Sequence, residues 1–493
     1  MKVNPKPLFS TLKQMRGDLP ITIAHRGASA WANENTLRSF STAHNMGAQI
    51  WELDVRLTKD GICVVCHDDN ISRLTGLDLR ISRSYWKDLR KIPLLRGGFL
   101  SDFGEVVNLS QELDSWLYVE IKGAGAGQAA WEELRNKGFK NAIMASFKEH
   151  FVRELYDKGC ELPLSVLVPA GKNPFVMANS SKAEIIHLCW KKADPEPQNL
   201  VTPELLNQAN ESGLEVVLWD EERQEILEDL LKLPVLGICS DRPEKLVPFP
   251  KDGRPLIVCH RGAETFAPEN TFSSVDLAFS QGLDIVEIDV RETLDGVPVV
   301  IHDKKVNRTT DGKGKIQDME YDEVAKLDAG SWFDPFYSGE RIPKLEEILI
   351  HAKGRGGVYI EIKDANPDTI INLVEKHGMF KDTFFWSKDL AIMDRLRELS
   401  SEVRLMSRRY DFDSLTAAIE RHNPFVIEFE DQNFSRQEIM DCQKKSILSM
   451  PFYMGSSLKV LKKLSEAELD MINLGHPEIF KKMLTHANDY NSS

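Results

Sequence analysis

No apolar run in this 493-residue sequence reaches the ~18 residues that a membrane-spanning helix requires. The first twenty residues carry Lys2, Lys6, Lys13 and Arg16 but no apolar core of the kind a signal peptide needs. A basic excess is also missing: 62 Lys and Arg stand against 76 Asp and Glu, a net charge of −14. A nucleic-acid partner would need a basic face, so that class is excluded, and the acidic surplus reads as solvated surface. Cysteine is scarce, and the seven present show no paired spacing. Cys63 and Cys66 form a C-x-x-C inside an apolar, strand-like run with no second pair. They read as small buried residues rather than a zinc or redox site. Reduced thiols and the missing leader lead us to expect a cytoplasmic protein. Low-complexity sequence is absent, as is the G-x-G-x-x-G turn of a dinucleotide fold.

What the sequence does hold is one stretch written twice. From Leu256 onward an apolar run stops at His260-Arg261-Gly262, and a second, Ile285 to Val290, carries Glu287 and Asp289. A third, Val297 to Ile301, ends at His302-Asp303. Acids two apart on a strand point to the same face. Like charges that close repel, and a cation between them is the simplest remedy. Histidines at neighbouring strand ends add an acid/base pair. The same order runs from Ile21 to Asp68. There His25, Glu52, Asp54 and His67 precede His260, Glu287, Asp289 and His302 by 235 residues each. Tyr118 to Lys122 then matches Tyr359 to Lys363 at an offset of 241, which places six extra residues between, around Asp334 to Gly339. A gap-free match of this length is a duplication, and each copy is long enough to be a domain. The expected domains are 1–247 and 256–493, joined by the proline-rich stretch 248–255.

Continuous apolar runs alternate with amphipathic helical patterns in both copies, as a parallel sheet requires. About eight such units per copy indicate an α/β protein of two tandem (β/α)8 TIM barrels; an open doubly wound sheet is the alternative. The acids and histidines fall at the C-terminal ends of strands, where a barrel places its active site. Asn35-Thr36 and Asn270-Thr271 precede helical patterns and read as N-caps, either with amides aimed at an anion or as capping devices alone.

With these residues in view, the chain resembles the glycerophosphodiester phosphodiesterase family, in tandem. The resemblance rests on His-Arg-Gly, Glu-Asn-Thr, Glu-x-Asp-Val-Arg, His-Asp and Glu-Ile-Lys, found in that order twice, and it spans nearly the whole chain. It implies barrels of the PLC-like phosphodiesterase type, with a segment inserted after the His-Asp strand. It implies one divalent cation per domain, Ca2+ or Mg2+, held by Glu52, Asp54 and Glu120 in copy one and Glu287, Asp289 and Glu361 in copy two. His25 with His67, and His260 with His302, resemble the family's general acid and base. Arg26, Lys122, Arg261 and Lys363 match phosphate-contacting positions, and Phe147 and Trp219 match positions lining the substrate pocket. The implied function is metal-dependent hydrolysis of a glycerophosphodiester to glycerol 3-phosphate and an alcohol, with the small-molecule diester as its partner. A phospholipase D-like enzyme acting on lysophospholipid or sphingomyelin is one alternative. One catalytic barrel beside a binding module is another.

The copies also depart from each other. The segment Asn70 to Leu113 lacks the Arg-Thr-Thr-x-Gly and Ile-Pro-x-Leu-Glu-Glu words of copy two. Copy two in turn has Trp386-Ser387-Lys388 and Gly475-His476-Pro477 where copy one has Ser146-Phe147 and Ser240-Asp241-Arg242-Pro243. Unequal substrate preference is therefore expected. Glu428 and Glu430, without acidic counterparts in Leu188 to Trp190, read as a rim salt bridge or as ligands for a polar substrate group.

Overall fold

Eight apolar runs of the first copy become parallel strands that close on themselves, while the run before His67 forms Cys63–Val65, antiparallel to the strand of Glu52 and Asp54. The computed structural model describes residues 7–189, 196–247, 249, 253–431 and 433–485. Trp190, in the stretch compared with Glu428 and Glu430, lies outside them, as do Pro248, Pro250, Lys251 and Asp252 of the expected joint. By internal packing the chain divides into two compact units, Met1–Val247 and Pro248–Ser493.

In unit one the strands are β1 (Ile21–Ala24), β2 (Ile50–Leu57), β3 (Trp116–Ile121), β4 (Ala142–Ser146), β5 (Leu164–Pro169), β6 (Ile185–Cys189), β7 (Glu215–Trp219) and β8 (Gly237–Ser240). Each pairs in parallel with the next, and β1 pairs with both β8 and β2, so the sheet is a barrel and not an open sheet. Unit two repeats this with β9 (Leu256–Cys259), β10 (Ile285–Glu292), β11 (Gly357–Ile362), β12 (Thr383–Trp386), β13 (Met406–Arg408), β14 (Val426–Glu430), β15 (Leu448–Tyr453) and β16 (Met471–Leu474). Its ring is complete except between β12 and β13, which are joined by the single bridge Phe385–Leu405.

Inward-facing side chains fill the barrel, as close packing demands. In unit one Ile21, Ile23, Ile50, Tyr118, Ile143, Leu167, Ile185 and Val217 form one buried cluster. The helix Pro7–Arg16, which the sequence reading did not anticipate, adds Phe9 and Leu12 to it and so covers the N-terminal end. The segments after the His-Asp strands build satellite cores of their own, around Ile71, Ile81 and Leu89 in unit one and Val306, Ile316 and Val324 in unit two. The C-terminal end of each barrel is left free for polar side chains.

Candidate active sites

Period-2 alternation on β2 sends Glu52 and Asp54 to the same, lumen-facing side, and the register sets Glu120 of β3 beside Asp54. Unit two does the same with Glu287, Asp289 and Glu361. Within each triad a carboxylate oxygen from every residue lies within 4.8 Å of the others. Three acids this close and this buried cannot all ionise unaided. Burial, then Asp54 and Glu120, push Glu52 well above the usual carboxylate range, and burial with Asp54 pushes Glu120 up to about 7. Asp54 goes the other way: burial opposes its charge, but Lys122 and Arg26 overcome it and hold it low. The pattern repeats in unit two, with Glu287 raised and Asp289 lowered. Glu52 Oε1 is buried with no hydrogen-bond partner among the described residues.

The cations flank the acids. Lys122 Nζ stands 3.1 Å from Asp54 and 2.6 Å from Glu120, and Lys363 pairs with Asp289 at 2.9 Å and with Glu361. Arg26 Nε lies 3.2 Å from Asp54, while its backbone N–H donates to Glu52 at 3.0 Å; Arg261 repeats both contacts. Those backbone donations need Arg26 and Arg261 at φ +55° and +52°, uncommon for a residue with a Cβ. The following glycine is required by close approach: a Cβ on Gly27 would sit 2.6 Å from the Ser39 carbonyl carbon, and on Gly262 2.8 Å from that of Ser274.

Each histidine is held by Nδ1, leaving Nε2 for chemistry. His67 Nδ1 pairs with Asp68 and His302 Nδ1 with Asp303, both at 2.7 Å. His25 pairs with Asp241 at 2.6 Å, and its Nε2 faces Glu52 at 3.9 Å. His260 pairs instead with Glu264 at 2.6 Å. Trp219 and Phe452 lie edge-on to His25 and His260 at 5.2 and 5.7 Å, and Phe147 packs 6.2 Å from Trp219. Each triad thus has a lysine and an arginine paired with it, and each histidine has its Nδ1 tied to a carboxylate.

Several partners were missed. Thr36 and Thr271 are the N-caps, whereas Asn35 and Asn270 donate to Asp54 and Asp289 at 2.8 and 2.9 Å, so the capping reading of these asparagines is corrected. Arg56 and Arg291, the last letter of Glu-x-Asp-Val-Arg, donate to the carbonyls of His67 and His302 at 2.8 Å. Arg308 ties Glu269 to Asp303, and Arg73 ties Glu34 to Asp68 in the same way. Copy one thus keeps the arginine of the word it was thought to lack; the 235-residue offset linking Arg73 to Arg308 was the available signal. Glu428 is buried and accepts from the Tyr410 hydroxyl at 3.1 Å, which replaces the rim salt bridge.

The model of the "Glycerophosphoryl diester phosphodiesterase family" matches residues 25–245 and again 260–453. The Bacillus subtilis (strain 168) protein YhdW is 49% identical over 131 residues, 27% of this chain and 53% of that one. A glycerophosphodiester phosphodiesterase of Caldanaerobacter subterraneus is 29% identical over 247 residues, 47% of this chain and 98% of that one. The crystal structure of a glycerophosphodiester phosphodiesterase from Agrobacterium tumefaciens is 38% identical, with a TM-score of 0.45, over 46% of this chain and 99% of that one. Against YhdW and a second Bacillus relative, the chain spans about half of the relative's length, 53% and 44%.

Proposed function

Because the chain belongs to the glycerophosphoryl diester phosphodiesterase family, its model matching both halves, we propose that it hydrolyses glycerophosphodiesters to glycerol 3-phosphate and an alcohol. The observation that carries the proposal is the buried carboxylate triad, twice present, with a lysine, an arginine and two tethered imidazoles around it. The donor set is all oxygen, and the orphaned Glu52 Oε1 fits a hard divalent cation, Ca2+ or Mg2+, held by Glu52, Asp54 and Glu120 or by Glu287, Asp289 and Glu361. When bound, such a cation supplies Lewis-acid stabilisation of the phosphoryl oxygens.

The protein's own groups do the rest. Arg26 with Lys122, and Arg261 with Lys363, balance the charge of the non-bridging oxygens. With Nδ1 tied to a carboxylate, each imidazole presents Nε2, so one of the pair takes the proton of the attacking hydroxyl and the other protonates the leaving oxygen. Arg56 and Arg291 fix the backbone of His67 and His302, and Trp219 or Phe452 limits the swing of His25 or His260. All seven cysteines are unbridged, which fits a reducing compartment such as the cytoplasm. Among the described residues no helix is long and apolar enough to cross a membrane.

The test is release of glycerol phosphate from glycerophosphocholine. We expect turnover that a chelator abolishes and an added divalent cation restores. No release from any glycerophosphodiester under these conditions sinks the proposal.

A further inference from the structure

The two barrels differ at the seam after the strand that carries the third acid. Glu120 is register-paired with Ala145, and Glu361 with Trp386, so these strand positions correspond. Ser146 and Ser387 confirm the alignment, donating to the carbonyls of Ile121 and Ile362. Phe147 therefore corresponds to Lys388. One strand further, Leu167 is paired with His187 and Arg408 with Glu428, which makes Arg408 the counterpart of Leu167. Unit one zips this seam through three register pairs, Met144–Leu164 to Ser146–Val166. In unit two an indole replaces the Ala145 methyl, and only the bridge Phe385–Leu405 joins the strands.

A cavity of about 200 Å3 fills the open seam, lined by Trp386, Lys388, Met406, Ser407, Arg408 and Asp411 among others. One water needs roughly 15 Å3, so the space holds a small organic group. Ser407 is 3% exposed, and its hydroxyl has no hydrogen-bond partner. Arg408 lies 3.8 Å over the Trp386 ring and is bound by Asp411 at 2.9 and 3.2 Å, so its charge is already balanced. His422 donates from Nε2 to Asp394 at 2.9 Å. Lys388 has no ion-pair partner among the described residues, which leaves one positive charge in excess at the mouth. Trp386, part of the cavity wall, is register-paired with Glu361 of the carboxylate triad.

Resting on the phosphodiesterase reading above, we propose that this seam cavity is an anion subsite, so that unit two takes glycerophosphodiesters whose alcohol carries a carboxylate or a second phosphate. Lys388 meets the anion by charge and the Ser407 hydroxyl meets it by hydrogen bond. Trp386 and Met406 supply the apolar wall. In unit one the counterparts Phe147, Ala145 and Leu167 carry no charge, and three register pairs join the strands of the seam.

The experiment silences unit one in the full chain (His25→Ala with His67→Ala) and compares alcohols that differ by one anionic group. Glycerophosphoserine against glycerophosphoethanolamine reads the carboxylate; glycerophosphoinositol 4-phosphate against glycerophosphoinositol reads the second phosphate. We expect kcat/KM to favour the anionic member of at least one pair by about tenfold or more, the scale of one added charge pair in a pocket. Which pair responds identifies the anion. Lys388→Met, an exposed position that the fold tolerates, should bring that ratio near one, and Lys388→Arg should keep it. Ratios near one in both pairs, or a ratio unmoved by Lys388→Met, overturn the proposal. If unit two turns over none of the four diesters, the phosphodiesterase reading of that unit fails instead. Calorimetric titration of the same pairs then reads the subsite directly, and equal affinities overturn it.

Discussion

At the scale of the residue, one lumen position separates the two units more sharply than any motif does. His187 is buried in unit one with neither ring nitrogen hydrogen-bonded, and burial drives its pKa down to about 3. Its counterpart Glu428 is buried in unit two, and burial drives its pKa up to about 7. Their effects on stability have opposite signs. The unfolded chain takes a proton on His187 below about 6.5 that the folded unit refuses, so unit one loses stability as pH falls from about 6.5 toward 3. Folded unit two keeps the Glu428 proton that the unfolded chain gives up above about 4.5, so it loses stability as pH rises from there to about 7. Glu428→Gln should raise the stability of unit two at pH 8 by roughly 1–3 kcal/mol and leave it nearly unchanged at pH 4. Urea unfolding at the two pH values checks this; an equal shift at both would refute the assignment.

The histidine tethers are also a matter of single residues. Ser29 and Asp241 correspond to Glu264 and Gly475, so the carboxylate that orients the first imidazole comes from the segment after β8 in unit one and from the segment after β9 in unit two. Asp241→Asn should lower turnover of unit one, and Glu264→Gln that of unit two, by roughly one to two orders of magnitude. Loss of the imidazole itself should cost about two to four. Each variant is assayed with the other unit silenced, and Asp241→Asn leaving the pH–rate profile unmoved would demote Asp241 to packing. Neither tether was legible from sequence. Asp241 is 216 residues from His25, and the i,i+4 spacing of Glu264 to His260 sits in a turn with no periodicity to reveal it.

At the scale of the element, the strands were legible wherever apolar runs were continuous, and boundaries shifted where pairing decided. Strand β13 spans only Met406–Arg408, because β14 offers its partners at Val426 to Glu428. The helix Pro7–Arg16 was not seen. Its sequence is short and weakly patterned, and only the barrel floor makes Phe9 and Leu12 a buried pair. Leu12→Ala, which empties a fully buried site, should cost unit one about 2–5 kcal/mol. Thr271→Ala removes the capping oxygen that accepts from Ser274 and should cost unit two about 1 kcal/mol. Denaturant midpoints separate the two, and comparable losses from both would show that Leu12 is not a core residue.

At the scale of the molecule, the duplication puts the same triad on two barrels whose later strands have diverged. Inactivating the units one at a time (His25→Ala with His67→Ala, then His260→Ala with His302→Ala) should leave two proteins with different substrate rankings. Identical rankings on a panel of glycerophosphodiesters would refute divergence, and one folded but inert protein would make that unit a binding module.

The sequence by itself determined what local periodicity and a repeated order can carry: two barrels, and acids and histidines at strand ends. A carboxylate in an apolar run is costly wherever the chain folds, so Glu52, Asp54, Glu287 and Asp289 announce a site without any coordinates. Only the tertiary structure decided what depends on contacts between distant strands. Closure sets Asp241 against His25, Asn35 against Asp54 and Arg408 against Trp386, and it leaves β12 and β13 joined by a single bridge. Such contacts follow from register and barrel curvature, which no run of neighbouring residues encodes.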